Sequence, residues 1–225
     1  MLVGLINRAY SKSPYKPVLN LEACYENHTH ARPPCPGELK EAWHMRLEAF
    51  WGLLSGAAGH VYGGDGLWDA KSTSASSGFF TPMSYSQGIK EDGRDDMRWV
   101  RAAADSINIS DLVPCQAMVN DPRSPDTDKD YICAARSKNN DWAMIYTTNG
   151  RNMSLNMDQI ACSNVKAYWY NPRNGKWYAN GRESSTKLPF APVVKAGSGA
   201  PDHTFDPPGG TGKNCDWLLI LEENV

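Results

Sequence analysis

Glu22 and Glu26 are the residues of this 225-residue chain whose type and spacing most directly suggest chemistry. Glu22 ends a short apolar run, residues 16–22, that is typical of a buried strand. Glycoside hydrolysis needs two carboxyl groups, about 5 Å apart for retention or 6.5–9.5 Å for inversion. Four extended residues span about 13 Å, so these two glutamates would lie too far apart to form the pair. We predict one catalytic glutamate, Glu22, with a distant partner; the alternative is that Glu22 only caps the next loop or binds an arginine.

A second group of polar and aromatic residues could bind a sugar. His60 and Tyr62 end another short apolar run, and residues two apart on a strand point to the same face. Asp65 and Trp68 follow them, and a Trp ring beside hydrogen-bonding side chains is well suited to hold a sugar ring. The alternative is a core histidine among packed aromatic residues. The five histidines lack the spacing of a metal site, and no phosphate or dinucleotide motif occurs, so we expect no metal and no cofactor.

The elements of residues 1–110 indicate an α/β segment. Between the two apolar runs, four residues recur at helical spacings of four, three and four. They are Trp43, Leu47, Phe50 and Leu54. Gly56 is a natural stop for this helix, and a Ser- and Gly-rich loop after Trp68 leads to a second helical pattern over residues 97–107. Strand, loop and helix in this repeated order are typical of parallel βα units.

From about Asp111 the pattern changes to short β-rich runs separated by Asn-Gly turn signals. The runs start at Tyr131, Trp142, Val165 and Trp217. Residues 171–177 are typical of a hairpin. Such strands without helices predict an antiparallel β-sandwich over residues 111–225, which we expect to fold independently. Only about 110 residues precede it, whereas a closed eight-stranded barrel needs roughly 250, so the fold class is α/β plus all-β with at most part of a barrel.

Charge and hydropathy exclude several classes of protein. The formal net charge is −2 and no long basic run occurs, which argues against a nucleic-acid partner. No apolar run approaches the roughly 20 residues of a membrane span, so we expect no membrane partner either.

Cysteines and glycosylation sequons favour an extracellular protein. The six cysteines contain no CxxC pair, which favours disulfides over metal binding, and we expect Cys24 and Cys35 to close the loop after the first strand. Three sequons begin at Asn27, Asn108 and Asn152. No signal peptide is recognisable after Met1, so secretion requires that the natural N-terminus lies upstream.

Several ordered motifs resemble the apiosidase-like glycoside hydrolase family, specifically the seventh and eighth strands of its barrel and the β-sandwich appended to it, a domain labelled as collagen-binding. The barrel motifs are KPVLNLEACYE (16–26), RLEAFWGLLSGAAGHVYG (46–63) and Leu67-Trp68. The sandwich motifs are AYWYNPRNG (167–175), FDPP (205–208) and DWLLIL (216–221). The resemblance covers the chain from about Tyr15 to Leu221.

The resemblance implies a (β/α)8 barrel with an acid on the fourth strand and a nucleophile on the seventh. Glu22 matches the nucleophile position, with Glu26 the second candidate in the same motif. His60, Tyr62 and Trp68 would lie on the substrate side of the eighth strand. The acid has no counterpart here, and Asp65 is only a distant substitute.

The resulting hypothesis is a C-terminal fragment of a secreted glycoside hydrolase that acts on plant-type polysaccharide side chains. Residues 1–110 would form the end of the barrel and residues 111–225 an accessory sandwich. The fragment should be inactive without the missing strands, which a separate chain could supply. The alternative is a non-catalytic protein whose β-sandwich binds carbohydrate or protein and whose barrel segment is a remnant.

Overall fold

The computed structural model describes residues 2–30, 35–70, 72 and 82–224. Its helices are α1 (Leu2–Tyr10), α2 (Ala42–Leu54), α3 (Tyr85–Gly88) and α4 (Asp92–Asp105), and short 3-10 helices cover Ile109–Asp111, Gln116–Met118 and Met157–Gln159. Its strands are β1 (Leu19–Asn20), β2 (Tyr25–Glu26), β3 (Gly59–His60), β4 (Gly63–Gly64), β5 (Leu112–Pro114), β6 (Ile132–Ser137), β7 (Trp142–Thr147), β8 (Met153–Leu155), β9 (Asn164–Asn171), β10 (Lys176–Ala179), β11 (Arg182–Ser184), β12 (Ala191–Lys195), β13 (His203–Phe205) and β14 (Trp217–Glu223). Most of the Ser- and Gly-rich loop after Trp68 lies outside the described residues.

The two apolar runs of the first half form neighbouring parallel strands. β1 pairs with β3, and α2 connects them along the chain. Two backbone bonds extend the pairing beyond the strands, from Ala58 N–H to the Val18 carbonyl at 2.7 Å and from Val61 N–H to the Asn20 carbonyl at 2.9 Å. Just beyond, β2 pairs with β4, also in parallel. The predicted strand–helix–strand order is therefore present, with strands shorter than predicted.

Helix α2 forms where the apolar spacing predicts it. Its N-terminus is capped when Glu41 N–H donates to Nδ1 of His44 at 3.0 Å. The chain leaves the helix through Gly56, whose φ of +101° favours glycine. Helix α1 was not predicted; it packs Val3 and Ile6 inward and contacts α2.

One large antiparallel sheet dominates the second half, as the strand pattern predicts. Its order is β11-β10-β9-β14-β7-β6-β5, and β12 pairs with β9 outside that order. The second layer of the predicted sandwich is much smaller, a two-stranded sheet of β8 and β13. The large sheet thus stands between this small sheet and helix α2.

Both faces of the large sheet are buried. In β7, Met144 and Tyr146 point into the core shared with α2, whereas Ile145 points into the core beneath β8 and β13. Phe50 of α2 stacks on Tyr146 with ring centroids 4.7 Å apart. Because α2 covers one face of the sheet, the expectation of an independently folding sandwich lacks support: separating the halves would expose that face.

The expected disulfide is not present. Among the described residues, which include all six cysteines, the structure shows no disulfide. Cys35 instead packs in the core shared with α2, where burial raises the pKa of its thiol to about 11.

The sequons differ in exposure. Asn108 and Asn152 are exposed, whereas the side-chain nitrogen of Asn27 is buried. Within the described part of the chain, no helix is long and apolar enough to cross a membrane.

Candidate active site

Glu22 lies two residues after β1, at the C-terminal edge of the parallel pair, and its side chain is exposed. The hydroxyl of Tyr25 donates to its Oε1 at 3.2 Å. A hollow of about 300 Å³ opens at this point, and Tyr62 and Trp68 line it together with Glu22. Trp68 is 62% exposed, so the aromatic part of the lining lies at the surface. The structure therefore brings together three of the residues that the sequence analysis singled out.

Glu26 occupies a different environment from Glu22. It is 2% exposed, and its carboxylate accepts a hydrogen bond from the Tyr62 hydroxyl at 2.6 Å and another from Gly93 N–H at 3.0 Å. Burial raises the pKa of Glu26, and these two hydrogen bonds oppose the rise. A carboxylate held this way is suited to fix Tyr62 in place rather than to attack a substrate.

Two glycines allow this close packing. A Cβ at Gly63 would overlap the ring of Tyr25, and a Cβ at Gly64 would come within 2.8 Å of the Tyr62 hydroxyl. The Gly63-Gly64 pair thus lets both tyrosines lie against β4. This pair is a sequence signal for the tyrosine positions that the sequence analysis did not use.

His60 lies in β3 but is not part of the hollow wall. Its Nδ1 is 3.4 Å from Nδ2 of Asn20, and its buried Nε2 has no hydrogen-bond partner among the described residues. Burial lowers the pKa of His60 to about 4, so the ring is neutral near pH 7. Its ring is therefore held by Asn20 and does not contribute to the described lining of the hollow.

Asp65 is also withdrawn from the hollow. It is buried, with Oδ2 3.5 Å from Nδ1 of His28, and its backbone N–H donates to the Glu26 carbonyl at 3.0 Å. Burial counts against a direct contact of Asp65 with a sugar. Among the described residues that line the hollow, Glu22 is the one carboxylate.

A second group of charged residues, which the sequence analysis missed, lies between the two halves. Arg46 of α2 binds Asp216 with two hydrogen bonds, from Nε at 2.7 Å and from Nη2 at 2.8 Å. Its Nη1 donates to Asp96 of α4 at 2.5 Å. Burial disfavours the charge on Arg46, but Asp216 and the other acidic neighbours raise its pKa above the usual value. A groove of about 630 Å³ opens over this network, with Trp99 and Arg173 in its wall.

One further cluster has the donor types of a metal site. Atoms of Cys35, Glu38 and His44 lie within 4.8 Å of one another. However, Nδ1 of His44 accepts a hydrogen bond from Glu41 N–H, which places the ring proton on Nε2, the atom that faces Glu38 at 3.6 Å. A protonated Nε2 donates a hydrogen bond and does not ligate a metal, so these residues do not fit a metal site.

Comparison with known proteins identifies both halves of the chain. Residues 2–111 match the family described as "Apiosidase-like, catalytic domain", and residues 113–222 match the family described as "Putative collagen-binding domain of a collagenase". The first half is thus similar to apiosidase-like catalytic domains. The resemblance seen in the sequence motifs is thereby confirmed for both halves.

Two solved structures share the fold. A chain titled "Glycoside hydrolase" is 21% identical, with a TM-score of 0.80 over 98% of this chain and 45% of that chain. A glycoside hydrolase family 5 structure from Bacteroides vulgatus ATCC 8482 is 18% identical, with a TM-score of 0.78 over 98% of this chain and 44% of that chain. The present chain therefore spans less than half the length of either structure. No curated protein matches it.

Proposed function

We propose that the chain is the C-terminal part of a secreted glycoside hydrolase that acts on plant-type polysaccharide side chains. The observation that carries the proposal is the hollow that Glu22 shares with Tyr62 and Trp68 at the C-terminal edge of two parallel strands. That edge is where the active sites of (β/α)8 enzymes are built. The match of residues 2–111 to an apiosidase-like catalytic domain supports the same assignment.

In the proposed mechanism, Glu22 is the carboxylate that attacks the anomeric carbon. The Tyr25 hydroxyl orients it through the hydrogen bond to Oε1. Trp68 offers its ring to a sugar, and Tyr62 forms another part of the wall while Glu26 fixes its hydroxyl. A general acid must protonate the leaving oxygen, and the described residues around the hollow supply none besides Glu22.

We propose that a further barrel segment, in cis or as a separate chain, supplies that acid and covers the hollow. Among the described strands, β1 and β3 pair only with each other, so each has an edge available for another strand. Leu21 and Val61 line the hollow yet are 67% and 47% exposed. Apolar side chains at this position on a sheet are normally covered in a complete layer.

The test compares the chain alone with the chain completed by such a segment. Release of reducing sugar from pectic oligosaccharides is the measurement. The chain alone should show no turnover, because a positioned acid contributes about 10²–10⁴-fold and the walls that orient the sugar are incomplete. The completed protein should hydrolyse the substrate.

Variants of the completed protein identify the carboxylate. Glu22→Gln should abolish turnover, whereas Glu26→Gln should be milder because Gln keeps one acceptor for Tyr62 or Gly93. Glu223→Gln, at an exposed residue in β14, is the matched control and should retain full activity. Turnover by the chain alone would refute the need for a completing segment. Full activity of Glu22→Gln would refute the nucleophile, and binding of oligosaccharide without turnover by the completed protein would favour the non-catalytic alternative.

An extracellular location is part of the proposal. The exposed sequons at Asn108 and Asn152 support it, because both asparagines could carry a glycan without unfolding.

A further inference from the structure

The second half of the chain reaches the candidate active site through a continuous series of buried contacts. The series starts at Asp216, which immediately precedes β14 and is 0% exposed. Asp216 accepts two hydrogen bonds from Arg46 of α2 and a third from the Tyr146 hydroxyl at 3.0 Å. The carboxylate is thereby fixed in one orientation, and it fixes the guanidinium in turn.

Arg46 transmits this constraint to the start of α4. Its Nη1 donates to Asp96, which lies in the second turn of that helix. Three residues earlier, Gly93 contributes its N–H to Glu26. This N–H belongs to the first turn, where helix donors lack intrahelical partners and where a carboxylate is favoured by the helix dipole. The position of α4 therefore determines whether Glu26 keeps this hydrogen bond.

The contact at Gly93 tolerates little movement. A Cβ at this residue would lie 2.5 Å from Glu26 Oε2 and 2.7 Å from a side-chain carbon of Met45. Glu26 holds the Tyr62 hydroxyl at 2.6 Å, and Tyr62 lines the hollow beside Glu22. A small displacement of α4 would therefore move Glu26 and Tyr62, and with Tyr62 the wall of the hollow.

The second half also holds the middle of α4 directly. The Tyr170 hydroxyl of β9 donates to the Trp99 carbonyl at 2.8 Å. Gly175, in the turn after β9, has a φ of +71°, and a Cβ there would overlap the Trp99 ring. Helix α4 is thus fixed from the sheet side at two levels.

We propose that Asp216 is a positioning residue for the candidate active site: through Arg46 and Asp96 it sets the place of α4, and so the hydrogen bonds that hold Glu26 and Tyr62. The collagen-binding-like half is then a structural part of the glycoside hydrolase site and not a separable accessory module. The proposal rests on the proposed function for the role of the hollow, but the contact series itself can be tested without turnover.

The experiment uses the chain itself, with 3-fluorotyrosine placed at position 62. The ¹⁹F resonance reports the hydrogen bond of Tyr62 to Glu26, and amide hydrogen exchange at Gly93 reports the other end of the carboxylate. Asp216→Asn should shift or broaden the ¹⁹F resonance and lower the protection of the Gly93 amide by about tenfold or more. Tyr146→Phe, which removes one hydrogen bond to Asp216 and keeps the ring, should act in the same direction to a smaller extent.

The control is Ile220→Val, a buried substitution in β14 that removes no hydrogen bond of the network. It lowers stability without removing a charge, so it should leave both signals at their parent values once exchange is normalised to global stability. Unchanged signals in Asp216→Asn, or equal changes in Ile220→Val, would overturn the proposal. If Asp216→Asn does not fold, Tyr146→Phe decides by the same criterion. Because this experiment involves no substrate, a completed protein that fails to hydrolyse glycosides would contradict the proposed function but not the positioning role of Asp216.

Discussion

Replacing Arg46 by Met should destabilise the chain strongly at pH 7. Arg46 is 2% exposed and donates four hydrogen bonds, to Asp216, Asp96 and Asn214. Met fills much of the same volume but leaves two buried carboxyl groups without their cation. Removing one partner of a buried ion pair typically costs about 3–5 kcal/mol. Since the Tyr146 hydroxyl still donates to Asp216, we expect the lower end, about 3 kcal/mol.

The assay is urea unfolding monitored by tryptophan fluorescence, and the variant is fitted with the m-value of the parent. The matched control is Arg101→Met, because Arg101 pairs with Asp105 on α4 but is fully exposed; it should leave the free energy of unfolding unchanged within error. Arg46→Met combined with Asp216→Leu should recover part of the loss, because Asp216 no longer carries an unpaired charge, whereas Asp96 is still left without its cation.

The pH dependence of this variant provides a second check. A buried carboxyl without a cation loses its charge when it binds a proton, so the deficit of Arg46→Met should shrink as the pH falls from 7 to 5. A loss below about 1 kcal/mol at pH 7, the range of surface pairs, would refute the interpretation of a desolvated network. A deficit that grows on acidification would refute it as well.

Three further predictions concern the whole chain. The pKa of His60 is about 4 in the folded chain and about 6.5 in the unfolded chain, so the free energy of unfolding should fall as the pH drops from 6.5 to 4. The parent should lose about 1–3 kcal/mol more than His60→Gln over this range. The control His203→Gln changes an exposed ring and should follow the parent. Expression in a glycosylating host should place glycans at Asn108 and Asn152 but not at Asn27, whose side-chain nitrogen is buried, and peptide mass spectrometry showing a glycan at Asn27 would contradict this geometry. The second half expressed alone should bind a hydrophobic dye and aggregate, because the sheet face under α2 becomes exposed; a soluble product with a cooperative melt would contradict this.

Local sequence patterns were enough to predict much of the fold. The spacing of apolar residues placed α2, and Gly56 marked its end. The four predicted β-rich runs coincide with β6, β7, β9 and β14. Strong local signals of this kind depend on few residues and little tertiary context. The short strands β5, β8, β12 and β13 lack such signals and form mainly through tertiary pairing.

The packing of α2 on the large sheet was not predicted, although the sequence contained a signal for it. The runs that became β7 and β14 are almost continuously apolar, whereas a sheet with one wet face alternates apolar and polar residues. Continuous runs indicate strands buried on both faces. Reading them in this way would have called for a covering layer in addition to β8 and β13, and α2 is that layer.

The candidate site was predicted in outline from the sequence. Strand-end position alone selected Glu22, and the structure separates it from Glu26 by exposure and hydrogen bonding. The sequence could not distinguish the roles of His60 and Asp65, because burial depends on what packs around β3 and β4. The network of Arg46 and Asp216 could not be predicted for a similar reason. These two residues are 170 positions apart in the sequence, and no local pattern relates them.

The parallel pair of β1 and β3 accounts for the position of the hollow and for its exposed apolar wall. Parallel strands place their C-terminal ends at one edge, which is why Glu22 meets Tyr62 and Trp68 although about 40 positions lie between them along the chain. A two-stranded parallel sheet also leaves two edges unpaired among the described residues, and the apolar side chains of Leu21 and Val61 are exposed beside one carboxylate. Since glycoside hydrolysis needs two carboxyl groups, the further barrel segment that we propose would have to cover these side chains and also supply the second acid.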